Sequence, residues 1–509
     1  MDSLWEGQAT SNIHLVKYAL CVSSDPIQRK GEQMVDQPNV ILIITDQQRA
    51  DTMACYGNAE IQTPNLNQLA DQSHVLENAY VSQPICTPSR STILTGLYPH
   101  ATGCVRNNIP LNAEIHTIAD LVPPEYVTAY YGKWHLGDEV KKQHGFDEWV
   151  SMEDQYREYY SSDTLLDDLS DYHRYLLDLG YSPDMDDEGK RTFSRELAAA
   201  LPVEHTKAMF LAEKTSEFIE ANKDNPFMIC VGLLEPHPPY DSPLSDLYDP
   251  EDMTFGEAFL QSPGDDASKL NQSRANEVPT SMATRDDWQK LKAKYWGNVS
   301  LVDNAIGKIT EALASAGVED RTVVIFTSEH GDQLGEHHIL QKAVLYEESV
   351  RVPMIIRVPW LNQNAGTVQG RFGMVDLVPT MLDLIGAPIP DHLHGQSRLK
   401  VLEGKENLAD NDVVVEWNGR NLKPSNKGEE IDRIQNSWKR SLITADGWKF
   451  NVSVDDRCEL FDLNSDPSEL INLIDSDDQR ERKASFLGEL KTWQKTVDDE
   501  MVLPAISDI

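Results

Sequence analysis

Four short, unbroken apolar runs constrain this chain more than any other feature: NVILIIT (39–45), FMICVGLL (227–234), TVVIFTS (322–328) and PMIIRV (353–358). A strand that is apolar at every position has both faces covered, the condition of strands inside an α/β sheet. Segments 64–72, 88–95, 205–221 and 286–316 carry apolar residues at helical spacing. The alternation predicts a large layered α/β domain around a central, mostly parallel or mixed sheet. Polar residues stand where three of the runs stop, at Asp46-Gln47, Glu235-Pro236-His237 and Glu329-His330. Ligands of open α/β sheets bind beyond the carboxyl ends of the strands, so these three ends are expected to face one crevice.

After about residue 385 the pattern changes to short β-like runs, DVVVEW and RSLITADGWKFNVSV, followed by CELFDLNSDPSELINL. The expected organisation is a large α/β domain over 34–385 and a small C-terminal subdomain with an antiparallel sheet over 386–509. Met34 directly precedes the first convincing strand, so 1–33 is read as an N-terminal extension outside the core fold. The acidic, Tyr-rich stretch 150–200 and the Pro, Asp, Ser and Asn-rich stretch 241–282 read as surface insertions over the crevice.

Charge narrows the function. Lys and Arg number 45 against 83 Asp and Glu, a net charge of −38 over 509 residues. Such an excess repels nucleic acid and anionic membranes, so neither is expected as a partner, and any anionic ligand must be met by a local cluster of cations. No run of eighteen apolar residues occurs, and the N-terminal stretch IHLVKYALCV is broken by His14 and Lys17 and lacks a small-residue cleavage site. The expectation is a cytoplasmic protein with no membrane span. The six cysteines are scattered too widely for a disulfide framework and are expected to be free thiols.

One of them, Cys86, stands in PICTPSRSTILTGLYPH. Pro88 suits a first helical turn and Gly96 a helix end, so Cys86 is placed at a helix N-terminus, where backbone N–H groups favour negative charge. Taken alone, this fits a buried hydrophobe as well as a reactive thiolate. The eleven residues CTPSRSTILTG resemble the signature of type I sulfatases of the alkaline phosphatase superfamily, in which this cysteine is converted to formylglycine. The resemblance continues over roughly 38–475, through ILIITDQQRADTMACYGN, YYGKWHLG, EPHPPY, FTSEHGDQLGEHH and KAVLYEESVRVPMIIR.

The resemblance implies a sulfuric ester hydrolase whose hydrated formylglycine attacks sulfur with one hydroxyl and expels sulfate with the other. It implies a metal held by Asp46, Gln47, Glu329 and His330 beside residue 86, with Ca²⁺ favoured and Mn²⁺ or Mg²⁺ as alternatives. Arg90 is expected to bond the hydroxyl of residue 86, and Ser89 to support the turn. Lys133 and Lys342 are expected to meet the sulfate oxygens, with Asn107 adding a hydrogen bond. His135 is expected to accept the proton that triggers sulfate release, and His237 to protonate the departing alcohol. Asp51, Asp332, Glu336 and His337 are read as supporting or structural, and Tyr-rich 156–181 and EWNGRN (416–421) as either substrate contacts or surface. The implied partners are a small organic or terminal carbohydrate sulfate ester and a formylglycine-generating enzyme. One position departs from the pattern: the usual Asp before His330 is Glu329 here, adding a methylene to a metal ligand. Two other readings stay open, a phosphonate monoester or phosphodiester hydrolase using the same site, and a silent binder of sulfated ligands. Composition and motifs leave the natural substrate and the oligomeric state unassigned.

Overall fold

The computed structural model describes residues 37–509 apart from Tyr156, 163–164, 166, 188–189 and 421–427. The expected extension 1–33, Tyr156 and Asn421 therefore lie outside the described residues.

Each of the four apolar runs is a strand of one nine-stranded sheet. Its main strands are β1 (Asn39–Asp46), β2 (His74–Tyr80), β3 (Val127–Gly132), β4 (Glu148–Ser151), β5 (Phe227–Pro236), β6 (Thr322–Ser328), β7 (Met354–Arg357) and β8 (Gly366–Gly373), in the order β8-β2-β7-β6-β1-β5-β3-β4. The neighbouring strands β6, β1, β5, β3 and β4 run parallel to one another, and β7 runs antiparallel to both β6 and β2. The mixed sheet predicted from the apolar runs is the sheet observed.

Strand residues point alternately to two cores. Val40, Leu42 and Ile44 face the side covered by the helix Cys86–Thr95 (α2), while Ile41 and Ile43 face Pro64–Asp71 (α1), Lys207–Asn222 (α3) and Arg285–Ser315 (α4). This double covering is why β1 shows no polar alternation. The first of the C-terminal runs forms β9 (Val413–Trp417), which with β10 (Lys439–Ile443), β11 (Trp448–Val452) and β12 (Glu459–Asp462) makes a separate four-stranded antiparallel sheet. The helix Arg480–Val497 closes its core with Phe486, Leu487 and Leu490. A buried ion pair between Lys449 Nζ and Glu347 (3.1 Å) ties it to the short helix Glu347–Val350, and Lys449 also pairs with Glu469 (2.8 Å) of the C-terminal part.

The reading of 150–200 and 241–282 as surface needs correction. Met152, Tyr172, Leu176 and Phe193 belong to the core on the α3 face, and Tyr248 and Met253 pack with Trp296 of α4. Acidic character misled here because the charge is neutralised inside: Glu153 is buried against both Arg195 and Lys207, with Arg195 Nε 2.8 Å from Oε1. Tyr172 buries its ring and donates its hydroxyl to the His205 carbonyl (2.8 Å).

Candidate active site

In-register pairing of the central strands assembles the site. Thr45 of β1 lies opposite Ser328 of β6, and Asp46 opposite Pro236 of β5, so the residues that follow each strand emerge at one level. Gly132 ends β3 opposite Gly232, and the Lys133 N–H continues the ladder to the Gly232 carbonyl (2.9 Å). Gly132 has φ +109°, and a Cβ there would stand 2.1 Å from the Gly232 oxygen, so only glycine lets the chain turn Lys133 into the crevice. Four adjacent strands thus deliver Glu329-His330, Asp46-Gln47, His237 and Lys133.

Cys86 is the first residue of α2, every residue of which is buried, and Gly96 ends the helix in the left-handed conformation at φ +69°. The placement of Cys86 read from Pro88 and Gly96 is the one observed. Its sulfur, which stands where a formylglycine hydroxyl would be, lies 3.4 Å from His330 Nε2. One ligand atom from each of Asp46, Cys86, Glu329 and His330 falls within a 4.8 Å cluster, and all four residues are buried.

The charges around this cluster account for its ionisation. Lys133 Nζ lies 2.5 Å from Asp46 Oδ2 and 3.8 Å from Glu329 Oε1; Lys342 Nζ lies 2.7 Å from Gln47 Oε1 and 3.8 Å from Asp46 Oδ1. Burial opposes ionisation of Asp46, but His237, Lys133 and Lys342 outweigh it and hold the carboxyl well below the usual range. Burial likewise opposes the Cys86 thiolate, and Lys133, Lys342 and His330 still bring the thiol well below its ordinary value. Burial raises Glu329 in spite of the adjacent Arg90.

The site fits a divalent cation. Asp46 Oδ1 is buried without a hydrogen-bond donor, and Glu329 Oε1 turns into the same cluster while Oε2 is held by Arg90. His330 Nδ1 lies 3.0 Å from the Gly331 carbonyl, which takes that N–H and turns Nε2 toward Asp46 Oδ1 (3.6 Å) and Glu329 Oε1 (3.2 Å). Burial and Lys342 oppose a proton on His330, yet the Cys86 sulfur and Glu329 push it up to about 9. Gln47 offers its oxygen beside Lys342 and is braced by its Nε2, which donates to Asp332 Oδ2 (2.6 Å) and Tyr240 (3.2 Å). The Glu329 carboxylate lies within the cluster: Oε2 pairs with Arg90 Nε while Oε1 turns to His330 and Lys133.

The remaining expected residues surround this cluster. Arg90 reaches it through Glu329 and donates Nη1 to the Lys133 carbonyl (2.7 Å). Ser89 is buried in α2. His237 is half-buried, with Nδ1 2.8 Å from the Pro238 carbonyl, and burial pushes it well below its ordinary value, assisted by Lys342 and Lys133 against Asp46. Asn107 Oδ1 accepts the Thr87 N–H (3.1 Å), so its carbonyl end serves the start of α2. His135 is buried in the left-handed conformation at φ +55°. Asp332 supports Gln47, Asp51 pairs with Arg49, Glu336 accepts the Gly256 N–H and His337 stacks on Tyr346, all structural or supporting contacts. In EWNGRN, Glu416 and Asn418 are buried in hydrogen bonds to His100 and Gln83.

Sequence reasoning missed three supports. Glu139 accepts the backbone N–H groups of Trp134 (3.0 Å) and His135 (2.7 Å), Thr87 donates to the His135 carbonyl (2.8 Å), and Asn108 Oδ1 meets His135 Nε2 (2.8 Å). Only their nearness to CTPSR and GKWHLG marked them.

The sulfatase family model matches residues 38–387, more than half of the chain. The chain belongs to the sulfatase family. A second model, the C-terminal region of N-sulphoglucosamine sulphohydrolase, matches 335–496 of this sulfatase. It is 26% identical to an ulvan-active sulfatase of Formosa agariphila, covering 79% of this chain and 72% of the relative, and 27% identical to an arylsulfatase of Clostridium perfringens, covering 88% and 92%. Among solved structures it resembles the phosphonate monoester hydrolase of Agrobacterium radiobacter, with TM-score 0.73 at 24% identity over 90% of this chain and 96% of that one. The protein is a sulfatase, a hydrolase of sulfate esters. Among the described residues no helix is long and apolar enough to cross a membrane, and the five described cysteines are free.

Proposed function

We propose that this sulfatase cleaves a small organic or terminal carbohydrate sulfate ester, using formylglycine made from Cys86 by a modifying enzyme and a divalent cation, Ca²⁺ first and Mn²⁺ or Mg²⁺ next. The observation that carries the reading is the buried cluster of Asp46, Cys86, Glu329 and His330 at the N-terminus of α2, flanked by Lys133 and Lys342. The carbohydrate side is supported by the similarity to an ulvan-active sulfatase. Oxygen donors from Asp46, Gln47 and Glu329 suit Ca²⁺, and the His330 nitrogen keeps Mn²⁺ in contention.

When bound, the cation supplies Lewis acidity at a sulfate oxygen, and formylglycine supplies a hydroxyl nucleophile that serine cannot replace. The chain's own residues do the rest. Lys133 and Lys342, already within 4 Å of Asp46, present two ammonium groups to an incoming anion. Arg90 fixes the Glu329 carboxylate, and the Asn107 amide nitrogen is available on the helix side. His237 donates its Nδ1–H to the Pro238 carbonyl, so Nε2 carries the lone pair of the neutral ring and is the atom that takes up, and then passes on, the proton for the leaving oxygen. Burial keeps this ring neutral in the resting protein, and a bound anionic ester opposes that shift. His135 is the base, kept neutral by burial and by Lys133.

The test is hydrolysis of paired aryl sulfate and aryl phosphonate esters by protein co-produced with a formylglycine-generating enzyme, extended to sulfated mono- and oligosaccharides. Sulfate ester turnover that depends on co-production supports the reading. Phosphonate turnover exceeding sulfate turnover rejects it in favour of the phosphonate hydrolase, and no turnover of either favours a silent binder.

A further inference from the structure

We infer that Asn108 is a positioning residue that anchors the His135 ring at Nε2–H and thereby presents Nδ1 as its basic atom. The use of that base rests on the proposed function; the anchoring does not.

The pair is held from three segments of the chain. Asn108 Oδ1 lies 2.8 Å from His135 Nε2. The Asn108 N–H donates to Thr87 Oγ1 (3.2 Å), and the same hydroxyl donates to the His135 carbonyl (2.8 Å). One Thr87 side chain therefore sets the backbone of both partners, and it belongs to the residue directly after Cys86. Glu139 adds a fourth constraint by gripping the His135 N–H (2.7 Å). Asn108 sits at φ +65°, a left-handed conformation that asparagine enters more readily than most residues.

A neutral imidazole has one N–H and one lone pair, and an amide oxygen can only accept. With Oδ1 facing the ring, the proton is on Nε2 and the lone pair on Nδ1. Burial keeps the ring neutral; among the charges around it Lys133 and Arg90 act in the same direction, and Glu329 and Asp46 oppose them. The reverse amide orientation would require a proton on Nδ1, and the two cases answer differently to substitution. Asn108→Asp can only accept, so it preserves the Nε2–H bond. Asn108→Gly removes the anchor while tolerating φ +65°, so the backbone survives.

The experiment uses the full chain, carrying Cys86 and labelled with ¹⁵N-histidine, and reads proton–nitrogen couplings within the rings, with His135 assigned by the signals lost in His135→Ala. The expected result is an exchange-protected proton on Nε2 of His135 in wild type and in Asn108→Asp, and loss of that protection in Asn108→Gly. In formylglycine-loaded protein, Asn108→Gly should lower kcat about tenfold with KM within about twofold, and Asn108→Asp should recover most of it, at the low end of what acid–base groups contribute. A wild-type proton on Nδ1, or equal kcat for the glycine and aspartate variants, overturns the inference. Because the ring measurement needs no turnover, a protein inactive on every sulfate ester would count against the proposed function while leaving the anchoring intact.

Discussion

Glu139 offers a quantitative test of how the His135 loop is built. Its carboxylate is 4% exposed and accepts two backbone N–H groups, from Trp134 and His135. Burial pushes its pKa from 4.5 to about 7 despite those two bonds. A carboxyl raised on folding stabilises the folded state fully below its unfolded pKa and loses that contribution as pH rises through the folded value. Between pH 5.5 and 8.5 the loss amounts to about 2 kcal/mol for a shift of this size. Glu139→Gln removes the titration and, separately, leaves one N–H facing an amide NH₂, a pH-independent cost of about 1–3 kcal/mol. Urea unfolding of wild type and Glu139→Gln at the two pH values isolates the first effect: relative to wild type, the variant should gain about 2 kcal/mol from pH 5.5 to 8.5. A gap between the two proteins that is the same at both pH values would refute the reasoning, because Glu139 would then titrate alike folded and unfolded. Turnover of the variant should fall as well, since one of the two bonds it weakens is to His135 itself.

Three further outcomes are expected. Peptide mass spectrometry of active protein should find residue 86 about 18 Da lighter than cysteine, as aldehyde replaces thiol, and unmodified cysteine in fully active protein would contradict the proposal. Elemental analysis should show metal lost in Glu329→Ala but retained in Glu329→Asp, which keeps the ligand charge; full metal in the alanine variant would remove Glu329 from the ligand set. His237→Ala should depress kcat/KM for sugar sulfates about a hundredfold more than for p-nitrophenyl sulfate, whose leaving group needs no proton, and equal losses would reject the acid role.

Much of this site was legible because it lies where continuous apolar strands stop. NVILIIT and TVVIFTS are buried on both faces, so the first charged residues after them, Asp46 and Glu329, mark the sheet's edge. The helix-start position of Cys86 was legible from the proline and glycine that bracket its helix, and its part in the site from the resemblance of CTPSRSTILTG to the sulfatase signature. What escaped were contacts joining segments far apart in sequence through atoms with no pattern of their own, such as the Thr87 hydroxyl on the His135 carbonyl. Asn107 and Asn108 are adjacent and chemically identical, and only the backbone turn at φ +65° decides which of them reaches His135. The acidic segment near Glu153 misled for the opposite reason: the cations that let it go inside, Arg195 and Lys207, lie some forty and fifty residues downstream.

The complete burial of α2 puts a clock on this protein. If Cys86 is converted to formylglycine as proposed, its 2% exposure at the start of a fully buried helix requires the modifying enzyme to act on the chain before the helix docks. The charge cluster around it is complete only when Lys342, some 250 residues later, can donate to Gln47. At ordinary rates of synthesis that interval lasts roughly 10 to 50 s. On that proposal, a variant that folds its N-terminal half sooner should carry more unmodified cysteine at position 86 and be less active.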